Sequence, residues 1–184
     1  MNSRVGIKDI AKNHVESIIT GDPFNEDTNL GPVINSKQFE SIQSHIKNAL
    51  ETGCELVSGG IGRPDIFKNG YYIKPTIFAN MSNNHQIAQE EIFGPVLSII
   101  TYKNLSEAVS IANDSQYGLS SYITSKDEGV AYKIAKQIKA GQTIINRISR
   151  GSVPAPFGGF KMSGNGREHG VFGLEEYLEI KAII

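Results

Sequence analysis

The sequence predicts an α/β fold built around a parallel sheet. Between residues 96 and 146, apolar strand-like runs alternate with helical stripes in the order strand, helix, strand, helix, strand. That order is typical of right-handed β-α-β units with parallel strands. With 184 residues, 39% of them hydrophobic, the chain is long enough to bury a core. Surface scaling predicts roughly 8,700 Å² of accessible surface, with close to 70% of the unfolded chain's surface buried.

Two helices are predicted before this alternation begins. Apolar residues at helical spacing over 7–19 predict the first, which ends before the turn-forming run DPFNEDTNLGP at 22–32. A second apolar stripe over 39–50 predicts the next helix. Asn35 or Ser36 can cap its first turn, because both side chains accept a hydrogen bond from a backbone N–H group.

The middle of the chain contains a loop and the first predicted strands. Residues 59–70 are rich in Gly, Pro and Asp and indicate a surface loop before a strand at 72–77. The run VLSIITY at 96–102 is typical of a buried parallel strand. Ser106 is predicted to cap the following helix, and residues 121–124 form the next predicted strand.

The last third of the chain completes the alternation. Asp127 opens a predicted helix that Gly141 closes in the left-handed conformation favoured by glycine. A strand over 143–146 follows, and a glycine-rich excursion over 151–173 leads to a final apolar strand at 179–184.

Composition excludes several classes of function. The formal charge is -1 with no block of like charge, which argues against nucleic-acid binding. Cys54 is the only cysteine, and the four histidines lack paired spacing, so we predict neither a disulfide nor a metal site. Cys54 follows a helix C-terminus, where the dipole opposes thiolate formation, so we expect a small buried hydrophobe there. The absence of an apolar leader or long apolar stretch predicts a cytoplasmic protein without a membrane partner.

The sequence SGNGREHG superficially resembles a dinucleotide-binding fingerprint. Its glycines are Gly164, Gly166 and Gly170, and only 14 residues follow the last of them. That is too few for the crossover and second strand that the fingerprint requires. We therefore expect a loop in which glycines allow close backbone approach.

Two pairs of residues leave alternatives open. Glu90 and Glu91 form either an exposed acidic pair or a site at which Glu91 accepts hydrogen bonds from a ligand's vicinal hydroxyls. In extended chain, Phe93 would face the same way as Glu91 and could pack against an aromatic ring. Arg167 and Glu168 form either an ion pair on a loop or part of the support of a site.

Six motifs occur in the order and at about the spacing seen in one enzyme family: GDPFNEDTNLGPVI, GYYIKPTIF, EEIFGPVLSI, NDSQYGLSSYI, PFGGFKMSGNGREHG and GLEEYLEIK. Over residues 21–184 the chain thus resembles the aldehyde dehydrogenases. The resemblance implies a truncated αβα catalytic domain of that type, its C-terminal part, over residues 1–175. Residues 176–184 would be the extended final strand of the oligomerisation sheet.

The resemblance also implies roles for individual residues. Glu91 is similar to the carboxylate that holds the nicotinamide ribose, and Phe93 to the aromatic residue beside the nicotinamide ring. Asn146 matches the asparagine that ends a strand near the substrate entrance. Glu168 resembles a glutamate in a water network behind the catalytic thiol, and Glu179 an acidic residue that joins subunits and orders the cofactor site.

Family members oxidise aldehydes to carboxylic acids with NAD or NADP, through a cysteine thiolate assisted by a glutamate base and an asparagine. By resemblance, these three residues and the cofactor-binding domain would lie before Met1, since NSRV at 2–5 resembles the stretch just after the nucleophile. We therefore expect the isolated chain to be inactive, with no catalytic residue except possible supporting roles for Glu168 and Asn146, and to bind no cofactor.

Two other functions stay open from the sequence. The segment 179–184 has no proline and only one acidic and one basic residue, so it could pair with another chain. On that interpretation the chain is an assembly module that forms a homo-oligomer or docks on full-length subunits. A weaker alternative is feeble nucleotide binding through Glu91 and Phe93.

Overall fold

The computed structural model describes residues 3–148 and 153–184, without the side chains of residues 3–5. Asn2 of the NSRV stretch and Gly151 at the start of the glycine-rich excursion lie outside the described residues. The chain divides into two compact units, Met1–Thr101 and Tyr102–Ile184. The predicted boundary at 175/176 stays a prediction.

The first unit contains a three-stranded sheet covered by helices. In the sheet β2 is central, β1 lies antiparallel to it, and β3 lies parallel, with Thr76 opposite Val96 and Phe78 opposite Ser98. The elements in chain order are α1 (Ser3–Glu16), α2 (Ser36–Glu51), β1 (Glu55–Ser58), β2 (Thr76–Ala79), α3 (Gln86–Gln89) and β3 (Val96–Ser98).

The core of this unit forms where α2 packs on β2. All four residues of β2 are buried, and α2 buries Ile42, Ile46 and Ala49, which lie on one helical face. Of the two predicted candidates, Asn35 caps α2: its Oδ1 accepts a hydrogen bond from the N–H of Gln38 at 2.9 Å. The buried cluster consists of Ile42, Ile46, Ala49, Cys54, Ile73, Phe78, Met81 and Ile87.

Several predictions for this unit were wrong in detail. Helix α1 ends at Glu16, and only part of its apolar stripe is covered, since Ile7 is 56% and Ile10 71% exposed. The strand predicted at 72–77 begins only at Thr76, directly after Pro75, which has no N–H to donate to a strand partner. The strand predicted at 96–102 ends at Ser98. Strand β1 and helix α3, each four residues long, were not predicted because such short elements show little periodicity.

The second unit confirms one parallel β-α-β crossover. Strands β4 and β5 pair in parallel from Ser120 opposite Gln142 to Ile123 opposite Ile145. Strand β3 belongs to the first sheet and β4 to the second, so the predicted strand series divides between two sheets. The elements are α4 (Leu105–Asn113), β4 (Ser120–Ile123), α5 (Glu128–Ala135), β5 (Gln142–Ile145), a 3₁₀ turn (Lys161–Ser163) and α6 (Gly170–Glu175).

The predicted caps of this unit are correct at only one helix. Asp127 caps α5, because its Oδ1 accepts from the N–H of Val130 at 2.9 Å. Helix α4 is capped by Asn104 rather than by Ser106. Gly141 does not have a left-handed φ, so its predicted role is also wrong. A Cβ at Gly141 would overlap the carbonyl oxygen of Gly158, and this close backbone approach is the reason for glycine there.

Less surface is buried than the sequence predicts. The accessible surface is 13057 Å², well above the roughly 8,700 Å² given by surface scaling. Residues 179–184 form no strand in the single chain, and Ile180 is 100% and Ile183 90% exposed. Among the described residues, no helix is both long and apolar enough to cross a membrane.

Gly141→Ala should destabilise the second unit by about 3 kcal/mol, because the new methyl group must displace the backbone at Gly158. Native-state hydrogen exchange should show faster exchange of the β5 amides while the β2 amides keep their protection. Gly6→Ala is the control: nothing lies within 4 Å of the added Cβ, so this helical position should gain about 0.5–1 kcal/mol. If the β5 amides of Gly141→Ala exchange no faster than those of wild type, the close approach of Gly141 to Gly158 would be contradicted.

Candidate functional site

One face of α2 carries the segment that contains Glu91 and Phe93. Gln38, Ile42 and His45 follow one another at i, i+4 and i+7, so they lie on the same helical face. Each of the three faces a different part of the segment 90–94, which joins α3 to β3. We call these three residues the α2 platform.

The centre of the platform holds a tight turn. The side-chain Nε2 of Gln38 donates to the carbonyl oxygens of Ile92 at 3.1 Å and Phe93 at 2.9 Å. A Cβ at Gly94 would lie 2.6 Å from Cδ1 of Ile42, so only glycine fits this close against α2. The turn is thus fixed by the two hydrogen bonds of Gln38 and by the apolar contact with Ile42, which lies one helical turn further along α2.

The two neighbouring glutamates have different environments. Glu90 Oε1 accepts a hydrogen bond from Gln86 Nε2 at 2.8 Å, and its Oε2 lies 3.8 Å from Nε2 of His45. Glu91 is exposed, and its carboxylate has no hydrogen bond or ion pair within the described parts of the chain. Of the pair, only Glu91 therefore presents a carboxylate that is free to accept hydrogen bonds.

Phe93 departs from the extended backbone that the sequence analysis assumed. Its φ is +54°, in the left-handed region, and its side chain is 73% exposed. A non-glycine residue in this region costs about 1–2 kcal/mol. The assumption of extended backbone at Phe93, on which the shared direction of its side chain with Glu91 rested, is therefore wrong. The hydrogen bonds from Gln38 act on the backbone of this residue.

Asn146 is exposed at the end of β5, and its side chain completes the strand pairing. Its φ is +52°, its Oδ1 accepts from the N–H of Ser125 at 2.8 Å, and its Nδ2 donates to the Ser125 carbonyl at 2.8 Å. The amide thus imitates a backbone peptide and joins the chain after β4 to the end of β5. The structure gives Asn146 a structural role independent of any substrate.

Glu168 lies in the glycine-rich loop of the second unit. Its backbone exchanges two hydrogen bonds with Phe157, at 2.6 and 2.7 Å. Its exposed side chain lines a cavity of about 310 Å³ together with Ser163, Asn165 and Glu176. The carboxylate of Glu168 is therefore accessible from the cavity.

Arg167 orders the same loop through carbonyl groups. Its Nη1 donates to the carbonyls of Gly159 at 3.1 Å and Gly166 at 2.5 Å. No ion pair joins it to Glu168 in the described ranges 3–148 and 153–184, so the ion-pair interpretation is wrong. All three glycines of SGNGREHG have positive φ, and Gly164 and Gly166 lie in a loop, as predicted. The predicted close backbone approach is found at Gly170, where a Cβ would lie 2.5 Å from the Pro154 carbonyl oxygen, and not at Gly164, where nothing lies within 4 Å.

Cys54 is a core residue, as predicted. It is 6% exposed and belongs to the buried cluster with Ile42 and Phe78. Its backbone N–H donates to the carbonyl of Ala49 at 2.9 Å, which closes the end of α2. Within the described residues, no three His, Cys, Asp or Glu side chains gather into a group that could hold a metal ion.

The structure therefore brings Glu91 and Phe93 together in the first unit and places Asn146 and Glu168 in the second. Sequence reasoning missed Gln38 and His45, because the helical stripe was traced only through apolar residues. Their spacing around Ile42 was the available signal: polar residues at i-4 and i+3 from a buried isoleucine lie on its face.

Comparison with known proteins gives one consistent result. A family model described as the aldehyde dehydrogenase family matches residues 7–183. A putative aldehyde dehydrogenase of Staphylococcus haemolyticus is 50% identical over 173 residues, which cover 94% of this chain and 36% of that protein. A putative aldehyde dehydrogenase of Staphylococcus aureus (strain USA300) is 47% identical, with the same two coverages.

Solved structures agree. An aldehyde dehydrogenase from Pseudomonas syringae, a cysteine-to-alanine mutant with NAD⁺ and octanal, has a TM-score of 0.94 at 45% identity, covering 97% of this chain and 37% of that one. Betaine aldehyde dehydrogenase from Staphylococcus aureus, in complex with NAD⁺, has a TM-score of 0.89 at 38% identity, covering 96% and 36%. The chain thus spans little more than a third of the length of these proteins.

Asn146→Asp should destabilise the β4–β5 pair by about 1–3 kcal/mol, because a carboxylate oxygen would face the Ser125 carbonyl where Nδ2 now donates. The loss should shrink below about pH 4, where the new carboxyl is protonated and can donate. Hydrogen exchange of the β5 amides measures both effects. The exposed Asn165 makes no side-chain hydrogen bond to the described residues and provides the control Asn165→Asp. Equal effects of the two substitutions would contradict the assigned pairing.

Proposed function

Because the chain belongs to the aldehyde dehydrogenase family, we propose that it supplies the nicotinamide-side wall of an NAD(P)-dependent active site that oxidises an aldehyde to a carboxylic acid. The observation that carries this proposal is the free carboxylate of Glu91 two residues before the exposed ring of Phe93. Both residues lie on a turn held against a rigid helix.

The chemistry of these two side chains fits the nicotinamide ribose half of the cofactor. An ionised carboxylate can accept hydrogen bonds from two adjacent hydroxyls, and Glu91 has both oxygens available. Glu90 is already bonded to Gln86 and faces His45, so it is the poorer candidate. The Phe93 ring offers an apolar face for a planar heterocycle.

The described residues fit the pyrophosphate half poorly. Phosphates favour helix N-termini that follow a strand. The two such helices in the second unit begin with acidic first turns, Glu107 in α4 and Glu128 in α5. The side chains of Asn104 and Asp127 also occupy one of the free N–H groups in each first turn, those of Glu107 and Val130. We therefore propose that these 184 residues by themselves hold a dinucleotide only weakly.

The proposed catalytic step also needs a nucleophile. NAD, when bound, accepts the hydride that leaves the substrate. The attacking group in such oxidations is a solvent-accessible thiolate. Cys54, the single cysteine of these 184 residues, lies in the core. We therefore propose that the chain is inactive alone and contributes a binding wall rather than the reacting sulfur.

Glu168 and Asn146 would serve the same reaction in supporting roles. The Glu168 carboxylate, exposed at the cavity of about 310 Å³, can accept hydrogen bonds from water there. Asn146 holds the end of β5 and so shapes the surface next to that strand. The aldehyde itself is proposed only as a class, since the similar structures include both an octanal complex and a betaine aldehyde dehydrogenase.

A second candidate function is assembly. The segment 179–184 has free backbone groups along an apolar stretch, and its isoleucines Ile180, Ile183 and Ile184 are exposed. An exposed extended segment with free backbone N–H and C=O groups pairs readily with a strand of another chain. We infer that it adds to a sheet of a second copy or of a full-length subunit, with Glu179 at the start of the contact.

Nicotinamide riboside should bind the chain with a dissociation constant of about a millimolar, which corresponds to a favourable binding free energy of roughly 4 kcal/mol. Glu91→Gln should weaken this binding several-fold, because one hydroxyl loses its ionic acceptor. The adjacent, already bonded Glu90 provides the control, Glu90→Gln, which should bind like wild type. Saturation-transfer NMR measures all three proteins. Equal losses in both variants, or no binding at all, would contradict the proposed wall.

The chain should produce no NADH from NAD and octanal or betaine aldehyde, followed by absorbance. Turnover that persists in Cys54→Ser would show that another residue acts as nucleophile. Turnover lost in that variant would show that the buried thiol is reached by substrate. Either result would refute the proposed inactivity.

Sedimentation velocity should show self-association at micromolar concentration. The double substitution Ile180→Asp and Ile183→Asp should abolish it, because two charges would face a paired strand. Ile66→Asp, at a residue 77% exposed in the loop before β2, is the control and should leave it unchanged. A wild-type monomer at all concentrations would reject the assembly function.

A further inference from the structure

We propose that Gln38 is a positioning residue for the cofactor-facing turn: its side-chain amide holds Phe93 in the left-handed conformation and so sets the direction of the Phe93 ring. The proposal rests on the proposed function of Glu91 and Phe93. The geometry that carries it is independent of any cofactor.

The argument begins with the direction of two carbonyl groups. Nε2 of Gln38 reaches the oxygens of both Ile92 and Phe93, which are consecutive along the chain. Consecutive carbonyls point to opposite sides in an extended strand and to the same side when the backbone is helical, of either hand. The shared donor is therefore compatible with the left-handed Phe93 and incompatible with an extended one.

The second step is the chemistry of the donor. The amide of glutamine has two N–H hydrogens on one nitrogen, enough for one bond to each carbonyl. A glutamate of the same shape offers only acceptors when ionised, and an asparagine is one methylene shorter. Glutamine is therefore the uncharged side chain of this length that can satisfy both carbonyls at once.

The third step is rigidity. The backbone N–H of Gln38 donates to the cap residue Asn35 at 2.9 Å, so the first turn of α2 is fixed. One helical turn later, Ile42 is fully buried and touches the position of Gly94. Gln38 is thus held in place by the core of the unit. When its two hydrogen bonds to the turn are removed, the backbone at Phe93 should move while α2 stays in place.

The consequence concerns ligand geometry. Without the two bonds, the penalty of the left-handed conformation is no longer offset, and Phe93 should relax to a negative φ. Its ring, now 73% exposed, would then point in another direction relative to Glu91. Gln38 would act on cofactor binding through Phe93, without being required to touch the cofactor.

The test uses the full chain and solution NMR. In wild type, scalar couplings and Cα shifts should report a positive φ at Phe93, and the Gln38 amide hydrogens should exchange roughly tenfold more slowly than those of an exposed glutamine. Gln38→Met should move Phe93 to a negative φ and weaken nicotinamide riboside binding several-fold. Gln38→Glu should do the same at pH 7. Below about pH 4 the new carboxyl can donate, so the positive φ of Phe93 should partly return, and only this φ is compared at low pH because riboside binding also needs the ionised carboxylate of Glu91.

The matched control is Gln43→Met. Gln43 lies on the same helix, and its Oε1 accepts from the N–H of Gly62 at 2.6 Å, so this variant also loses a bond from α2 to a loop. It should lower stability while leaving Phe93 and riboside binding unchanged. A positive φ at Phe93 in both Gln38 variants would overturn the proposal, as would a displaced Phe93 with unaltered riboside binding. Failure of the proposed function would instead appear as unaltered binding in Glu91→Gln.

Discussion

The contact between α2 and the segment 90–94 is the constraint on which the candidate site depends. Ile42 belongs both to the core and to the surface against which Gly94 lies, so the site and the core share one element. Burying an isoleucine side chain is worth about 1.5–3 kcal/mol. Two hydrogen bonds from Gln38, at about 0.5–1.5 kcal/mol each, offset the roughly 1–2 kcal/mol cost of a left-handed Phe93.

Two of the left-handed non-glycine residues lie at positions to which the family resemblance assigns roles, Phe93 and Asn146. Three others in the described ranges carry no such role: Asn80, Lys161 and His169. Hydrogen bonds hold the first two, from the Gln38 amide at Phe93 and with the Ser125 backbone at Asn146. Such strain persists only where neighbouring structure enforces it, and it often marks functional sites.

Sequence patterns predicted those elements whose signals are local. The cap of α2, its apolar stripe and the β4-α5-β5 crossover depend on patterns within single elements or between consecutive ones, and all three were found, with Asn35 as the cap. Gly141 was misassigned because its partner, Gly158, lies beyond β5 in a loop to which no pattern connects it. The left-handed Phe93 was missed for the same reason, since the bonds that hold it come from Gln38. The site roles that the resemblance implies for Glu91 and Phe93 stay predictions, and only the structure shows that Glu90 is bonded and that the carboxylate of Glu91 is free.

The most direct test of the binding wall is chemical-shift mapping of the uniformly labelled chain during titration with nicotinamide riboside. The account predicts shift changes concentrated at residues 90–94, with Glu91 and Phe93 largest and the first turn of α2 next. Saturable changes concentrated elsewhere, with the turn unaffected, would contradict it.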